Sequence, residues 1–132
     1  MSQISKHYVT TKAAIYSEDD SGVLVIDTRS YNNSYGLPGG HVDMDEAPDQ
    51  TIEREINEEL GIIVSNLERR DFFLHGNGKV VLAYIAKAPI EVSIDPLNTD
   101  EGIGVWKTKE QFEKIDIDEG YKKFVLDNWS KG

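Results

Sequence analysis

The stretch from Gly40 to Ile62 constrains this chain most, because it bounds a helix and loads one face of that helix with carboxylates. It runs Gly40-His41-Val42-Asp43-Met44-Asp45-Glu46, then seven further residues, then Arg54-Glu55-Ile56-Asn57-Glu58-Glu59-Leu60-Gly61-Ile62. Asp45 reads as an N-cap, Pro48 fits a first helical turn and Gly61 is a natural stop, so the spacing predicts a helix from about Glu46 to Leu60. Ile52, Ile56 and Leu60 recur at i, i+4 and i+8 as its buried stripe. A helix advances about 100° per residue, so Glu55, Glu58 and Glu59 crowd one narrow face beside that stripe. Like charges at this spacing cost about 0.2–0.5 kcal/mol per pair on an exposed helix. Only Arg54, four residues before Glu58, compensates locally, whereas a face built for solubility alone would interleave lysines. Three carboxylates so placed are oxygen ligands for a hard cation such as Mg²⁺, to which a phosphate chain can bridge.

Written as a pattern, the stretch is G-x5-E-x7-R-E-U-x-E-E-x-G-U, with U aliphatic and every specified position filled. At ordinary residue frequencies a chance match at a given start is on the order of 10⁻⁹. The pattern resembles the Nudix box, the signature of Mg²⁺-dependent hydrolases that cleave nucleoside diphosphates linked to another group. The preceding Tyr35-Gly36-Leu37-Pro38-Gly39-Gly40 is similar to the aromatic-x-Leu-Pro-Gly-Gly run of that family, with tyrosine in the place of its usual tryptophan.

The resemblance implies an α+β architecture, an α/β/α sandwich around a mixed, curved sheet, and hydrolysis of a P–O–P link with Mg²⁺, for which Mn²⁺ can substitute. It assigns Glu55, Glu58, Glu59 and the Gly39 carbonyl to the metal, with Glu46 as an outer group and Glu55 as a candidate base. Arg54, which stays protonated and forks onto carboxylates, is expected to hold one glutamate in place. A later acidic loop often completes such sites, and Glu101, then Asp100, are the candidates here. Gly40, Tyr35 and His75 are candidate substrate contacts, with Tyr31 and Phe73 as further aromatic surfaces.

The region Asn77-Gly78-Lys79 carries neither the proline of ADP-ribose hydrolases nor the tyrosine of dinucleoside polyphosphate hydrolases. That favours a small nucleoside triphosphate pyrophosphohydrolase of the sanitising type. An ADP-ribose or nucleotide-sugar pyrophosphatase is the alternative, and a catalytically silent nucleotide-binding module is the rival of another class. Such a module is expected to lose box carboxylates, and this chain keeps them.

Length and charge narrow the rest. A chain of 132 residues fits one domain, residues 1–132, built around a single site. With 14 basic and 24 acidic residues its formal charge is −10, which argues against a surface that follows a nucleic-acid backbone. A small nucleotide arriving with its metal is the expected partner, to a monomer or homodimer. The absence of cysteine excludes disulfides, thiolate metal sites and cysteine nucleophiles, including that of the isopentenyl diphosphate isomerase relatives. No apolar run is long enough to span a bilayer and the N-terminus lacks a signal-peptide core, so a cytoplasmic protein is expected.

Elsewhere, Tyr8 to Tyr16 and Val23 to Ile26 predict a hairpin about the Glu18-to-Gly22 turn, and Val64 to Leu74 predicts an irregular strand. Gly76-Asn77-Gly78 predicts a turn before a strand from Lys79 to Ala86, and Ile90 to Ile94 an edge strand. Asp95 to Gly104 reads as a loop, Val105 to Lys107 as a brief strand and Glu110 to Ile115 as a short helix. A last helix from Glu119 to Ser130 is expected to bury Tyr121, Val125, Leu126 and Trp129, and Trp106 reads as core.

Overall fold

The computed structural model describes residues 8–28, 34–43, 45–75, 78–89, 97–99 and 102–129. Strand β1 (Tyr8–Ser17) organises them, because its two faces are both apolar and both covered. Side chains alternate along a strand. Ala13 and Ile15 therefore join Leu24, Ile26, Tyr84 and Ala86 on one face, and Ala14 and Tyr16 join Val23, Val25, Val81, Ala83 and Ile85 on the other. The next elements are β2 (Gly22–Asp27), β3 (Tyr35–Gly36), β4 (Gly39–His41), helix α1 (Pro48–Leu60), β5 (Ser65–His75) and β6 (Lys79–Ala88). They are followed by β7 (Leu97–Thr99), β8 (Gly102–Thr108), α2 (Lys109–Lys114) and α3 (Glu119–Asp127).

Among the described residues the strands form one eight-stranded sheet in the order β5-β6-β1-β2-β8-β7, with β3 on β2 and β4 on β1. The β1–β6 pair is parallel and the others antiparallel, so the sheet is mixed. Helix α1 covers the first face with Ile52, Ile56 and Leu60, and α2 and α3 cover the second with Phe112, Tyr121, Phe124 and Val125. This is the expected α+β sandwich.

The site is positioned by a change of partner along one edge of β1. Strand β2 pairs with β1 at Ile15 and Tyr16, and β4 then takes over the same edge at Thr10, Thr11 and Lys12. The Ala13 amide donates to the Pro38 carbonyl at 2.9 Å, which delivers the Gly39-Gly40 pair into the plane of the sheet beneath α1.

Several boundaries differ from the sequence reading. Helix α1 starts at Pro48 with Ala47 as N-cap, not at Glu46 with Asp45. Pro48 needs no amide partner in the first turn, and Gln50 reaches back to accept the Ala47 amide at 2.9 Å. Gly61 ends the helix at φ 67° as expected. The segment read as a loop from Asp95 to Gly104 contains β7 and the start of β8, whose glycines hid a strand that pairs with β2 along its full length. In α3 Phe124 is buried where Leu126 was expected, with Leu126 only partly so. Trp106 is half-buried against the α1-side core. Gly76, Asn77 and the strand expected at Ile90 to Ile94 lie outside the described residues, as do Tyr31, Asp100 and Glu101.

Candidate active site

A cleft of about 510 Å³ opens where β4 meets α1, lined by Thr10, Lys12, Gly39, Gly40, His41, Asp43, Arg54, Glu55, Lys79 and Tyr121. Its floor is glycine by necessity. A Cβ on Gly40 would stand 1.9 Å from Glu55 Oε2, and one on Gly39, whose φ is +150°, would stand 1.9 Å from the Thr11 carbonyl oxygen. The Thr11 hydroxyl donates to the Gly40 carbonyl at 2.9 Å and fixes β4 from below.

Two of the three glutamates that crowd the helix face are turned onto this floor. Glu55 packs on Gly40, and Glu59 Oε1 accepts the Gly39 amide at 3.2 Å. Glu58 is drawn aside by Arg54, whose Nη1 donates to it at 3.0 Å and to Glu55 at 3.4 Å. The fork of Arg54 lands on Glu46: Nε donates to Oε2 at 2.7 Å and Nη2 to Oε1 at 2.9 Å, a bidentate pair of the strong kind. Asp43 adds a contact to Nη2 at 3.4 Å, and the Thr51 hydroxyl donates to Glu46 at 2.9 Å. Arg54 chiefly, and Thr51 after it, hold the Glu46 carboxyl below the usual carboxylate range, and Glu46 in turn keeps the guanidinium firmly protonated. One cation thus gathers four carboxylates, a network in which charge-assisted bonds support one another.

The far end of the cleft is aromatic and basic. Tyr121, on the first turn of α3, stacks on His75 with centroids 5.3 Å apart and planes 12° from parallel. His75 Nε2 lies 2.7 Å from Asp118, which also caps α3 by accepting the Gly120 and Tyr121 amides. Burial first, and then the charge of Asp118, push the Tyr121 phenol up to about 12.

Of the residues singled out from sequence, the structure brings Gly39, Gly40, Arg54 and Glu55 together in the cleft. It places Glu59 on the Gly39 amide, Glu58 on Arg54, and His75 behind Tyr121. Tyr35 is not at the cleft: its ring is buried in the α2/α3-side core with Lys107 above it, on a strand that pairs with β2 rather than with β1. Thr10, Lys12, Lys79 and Tyr121 were missed as cleft residues. Lys12 had a signal, the one charged residue in its strand, while Tyr121 is placed only by tertiary packing.

The donors at the floor are carboxylates and backbone carbonyls, the set that suits a hard divalent cation rather than a soft one. Among the described residues no three His, Cys, Asp or Glu side chains converge on a point. The fit rests on Glu55 and Glu59 flanking the Gly39-Gly40 backbone.

A mixed sheet between helical layers, with a glutamate-rich helix seated on a paired-glycine strand, defines the Nudix class. The NUDIX domain family model matches residues 6–127, and the chain belongs to that family. An 8-oxo-dGTP diphosphatase of Haemophilus influenzae is 27% identical over 81 residues, 61% of this chain and 60% of that enzyme. The matched region thus spans well under two thirds of the relative's length. A MutT structure from work on Aliivibrio salmonicida and Vibrio cholerae shares the fold at TM-score 0.75 and 19% identity, covering 96% of this chain and 100% of that one. The NUDIX domain of Shewanella oneidensis NrtR, solved with ADP ribose, does so at TM-score 0.77 and 17% identity, covering 93% and 86%.

Proposed function

We propose that this chain is a Mg²⁺-dependent pyrophosphohydrolase of nucleoside triphosphates, of the sanitising type that removes damaged or non-canonical nucleotides. The observation that carries the reading is the seating of Glu55 and Glu59 on the Gly39-Gly40 backbone, which aims hard oxygen donors into a cleft that also presents lysines. The likeness to an 8-oxo-dGTP diphosphatase supports the substrate class.

Glu55, Glu58, Glu59 and the Gly39 carbonyl would hold the metal, with Mn²⁺ an adequate substitute. A bound divalent cation supplies Lewis acidity toward water and toward the phosphoryl oxygens. Glu55 accepts the proton of the attacking water. Arg54 holds Glu46, Glu58 and Glu55 in fixed rotamers, so that little reorganisation is needed during the reaction. Glu101 is kept as the candidate additional base.

The test is formation of a nucleoside monophosphate from a panel of canonical and oxidised nucleoside triphosphates, ADP-ribose and nucleotide sugars, with Mg²⁺ and with excess EDTA. Turnover of a triphosphate that EDTA abolishes is the expected result. Preferential turnover of ADP-ribose would instead select the nucleotide-sugar reading, which the complex of the NrtR domain makes the natural second choice. Binding without turnover across the panel would identify a silent module.

A further inference from the structure

Lys79 is a half-buried cation that lines the cleft, yet its ammonium makes no hydrogen bond or ion pair among the described residues. The other basic side chains of the cleft are engaged. Arg54 holds four carboxylates, and the Lys12 ammonium donates to the Leu37 carbonyl at 3.2 Å. In a chain with 24 acidic against 14 basic residues, carboxylates are the commonest available counter-charge, so a lysine in a cleft without one is conspicuous. Withdrawing an ammonium from water without a counter-ion costs free energy.

The acid held by the cross-strand neighbour of Lys79 is already committed. Lys79 is the cross-strand partner of His75, and His75 takes Asp118, which the α3 amides also occupy. The alternation that points Val81, Ala83 and Ile85 at α3 points Lys79 there too, beside Tyr121. The cleft is therefore polarised, with carboxylates on the α1 side and Lys79, Lys12 and Tyr121 on the other.

We propose that Lys79 binds the phosphate of the substrate remote from the α1 carboxylates and so selects triphosphates over diphosphate-linked substrates. This rests on the reading of the cleft as a nucleotide site. Metal and carboxylates engage one end of the phosphate chain, and the ammonium supplies the missing counter-charge at the other.

The test compares Lys79→Met and Lys79→Arg with the parent. Lys79→Met is expected to raise KM for the preferred triphosphate about tenfold, the scale of one hydrogen bond to a charged group. Its kcat should stay within about twofold and its KM for ADP-ribose within about threefold, with Lys79→Arg restoring most of the loss. A structural role would instead lower the melting temperature and shift both substrates alike. An unchanged triphosphate KM, an equal rise for both substrates, or a fall in kcat alone would overturn the proposal. Independently of turnover, pyrophosphate with Mg²⁺ should raise the melting temperature of the parent and raise that of Lys79→Met much less. Equal shifts, or no shift in the parent, would overturn the assignment of Lys79. A parent that hydrolyses no nucleotide but shows the Lys79-dependent shift would refute the proposed activity and leave the anion site standing.

Discussion

At Gly40 a single hydrogen atom separates a working cleft from a collision, since any Cβ there meets the Glu55 carboxylate at 1.9 Å. Gly40→Ala must push that carboxylate off the floor. Displacements of about 1 Å cost on the order of a hundredfold in rate, and that is the expected loss in kcat/KM. Gly36 is the control, because a Cβ there meets nothing within 4 Å, and Gly36→Ala should keep parental activity. Equal losses in the two variants would deny the glycine floor its role. Arg54 offers a second test at this scale. Its planar fork meets Glu46 with two nitrogens while Nη1 reaches Glu58, which a lysine point charge cannot reproduce. Arg54→Lys should lower activity or apparent Mg²⁺ affinity about 10–100-fold, the usual cost of losing a group that orients metal ligands, as read from Mg²⁺ titrations of the rate. The need for these glycines and for a forking arginine was legible in the sequence. That the fork closes on Glu46 rather than on a box-helix glutamate was not, because Glu46 precedes the helix and its approach depends on how the chain enters at Ala47.

The elements themselves were written mostly in periodicity and punctuation. The strands read at Tyr8 to Tyr16 and Val23 to Ile26 and the i, i+4, i+8 stripe of α1 survive intact, since each buries against a continuous partner. The segment after Asp95 was misread because Gly102 and Gly104 dilute the β signal of a strand held in place by β2, a partner distant in sequence. Helix α1 carries a correctable weakness. Gln50 accepts the Ala47 amide, but alanine returns no side-chain oxygen to the helix. Ala47→Ser would complete the reciprocal cap and should add about 1 kcal/mol, roughly 4 °C in melting temperature, with activity unchanged. The β1–β2 turn gives a pH signature. Bonds from the Ser21 and Ser17 hydroxyls and the Ser21 amide lower Asp19 from 3.8 to about 2. A carboxyl depressed on folding contributes stability that is fully present above its unfolded pKa and is lost as pH falls through the folded one. Asp19→Asn should therefore melt lower than the parent above about pH 4, with the difference closing toward pH 2; a constant difference would contradict the linkage.

For the whole molecule the governing fact is a charge of −10 with a cluster of carboxylates gathered beside a cleft. Such clustering opposes folding unless a cation answers it, and Arg54 answers only part, through Glu46, Glu55, Glu58 and Asp43. Glu59→Gln isolates the remainder, because glutamine keeps the shape and can still accept the Gly39 amide while removing one charge. Without metal the variant should unfold at the same temperature as the parent or higher, since like charges at helix spacing cost about 0.2–0.5 kcal/mol per close pair. Mg²⁺ at a hundred times its dissociation constant should stabilise the parent by about 2.7 kcal/mol through mass action and help the variant far less. The order of the two melting temperatures then closes or reverses as Mg²⁺ is added, while turnover of the variant stays low throughout. A solvated acidic face predicts no metal-dependent difference at all. A parent whose melting temperature ignores millimolar Mg²⁺, or a variant with parental turnover, would show that the crowding of Glu55, Glu58 and Glu59 serves something other than a cation.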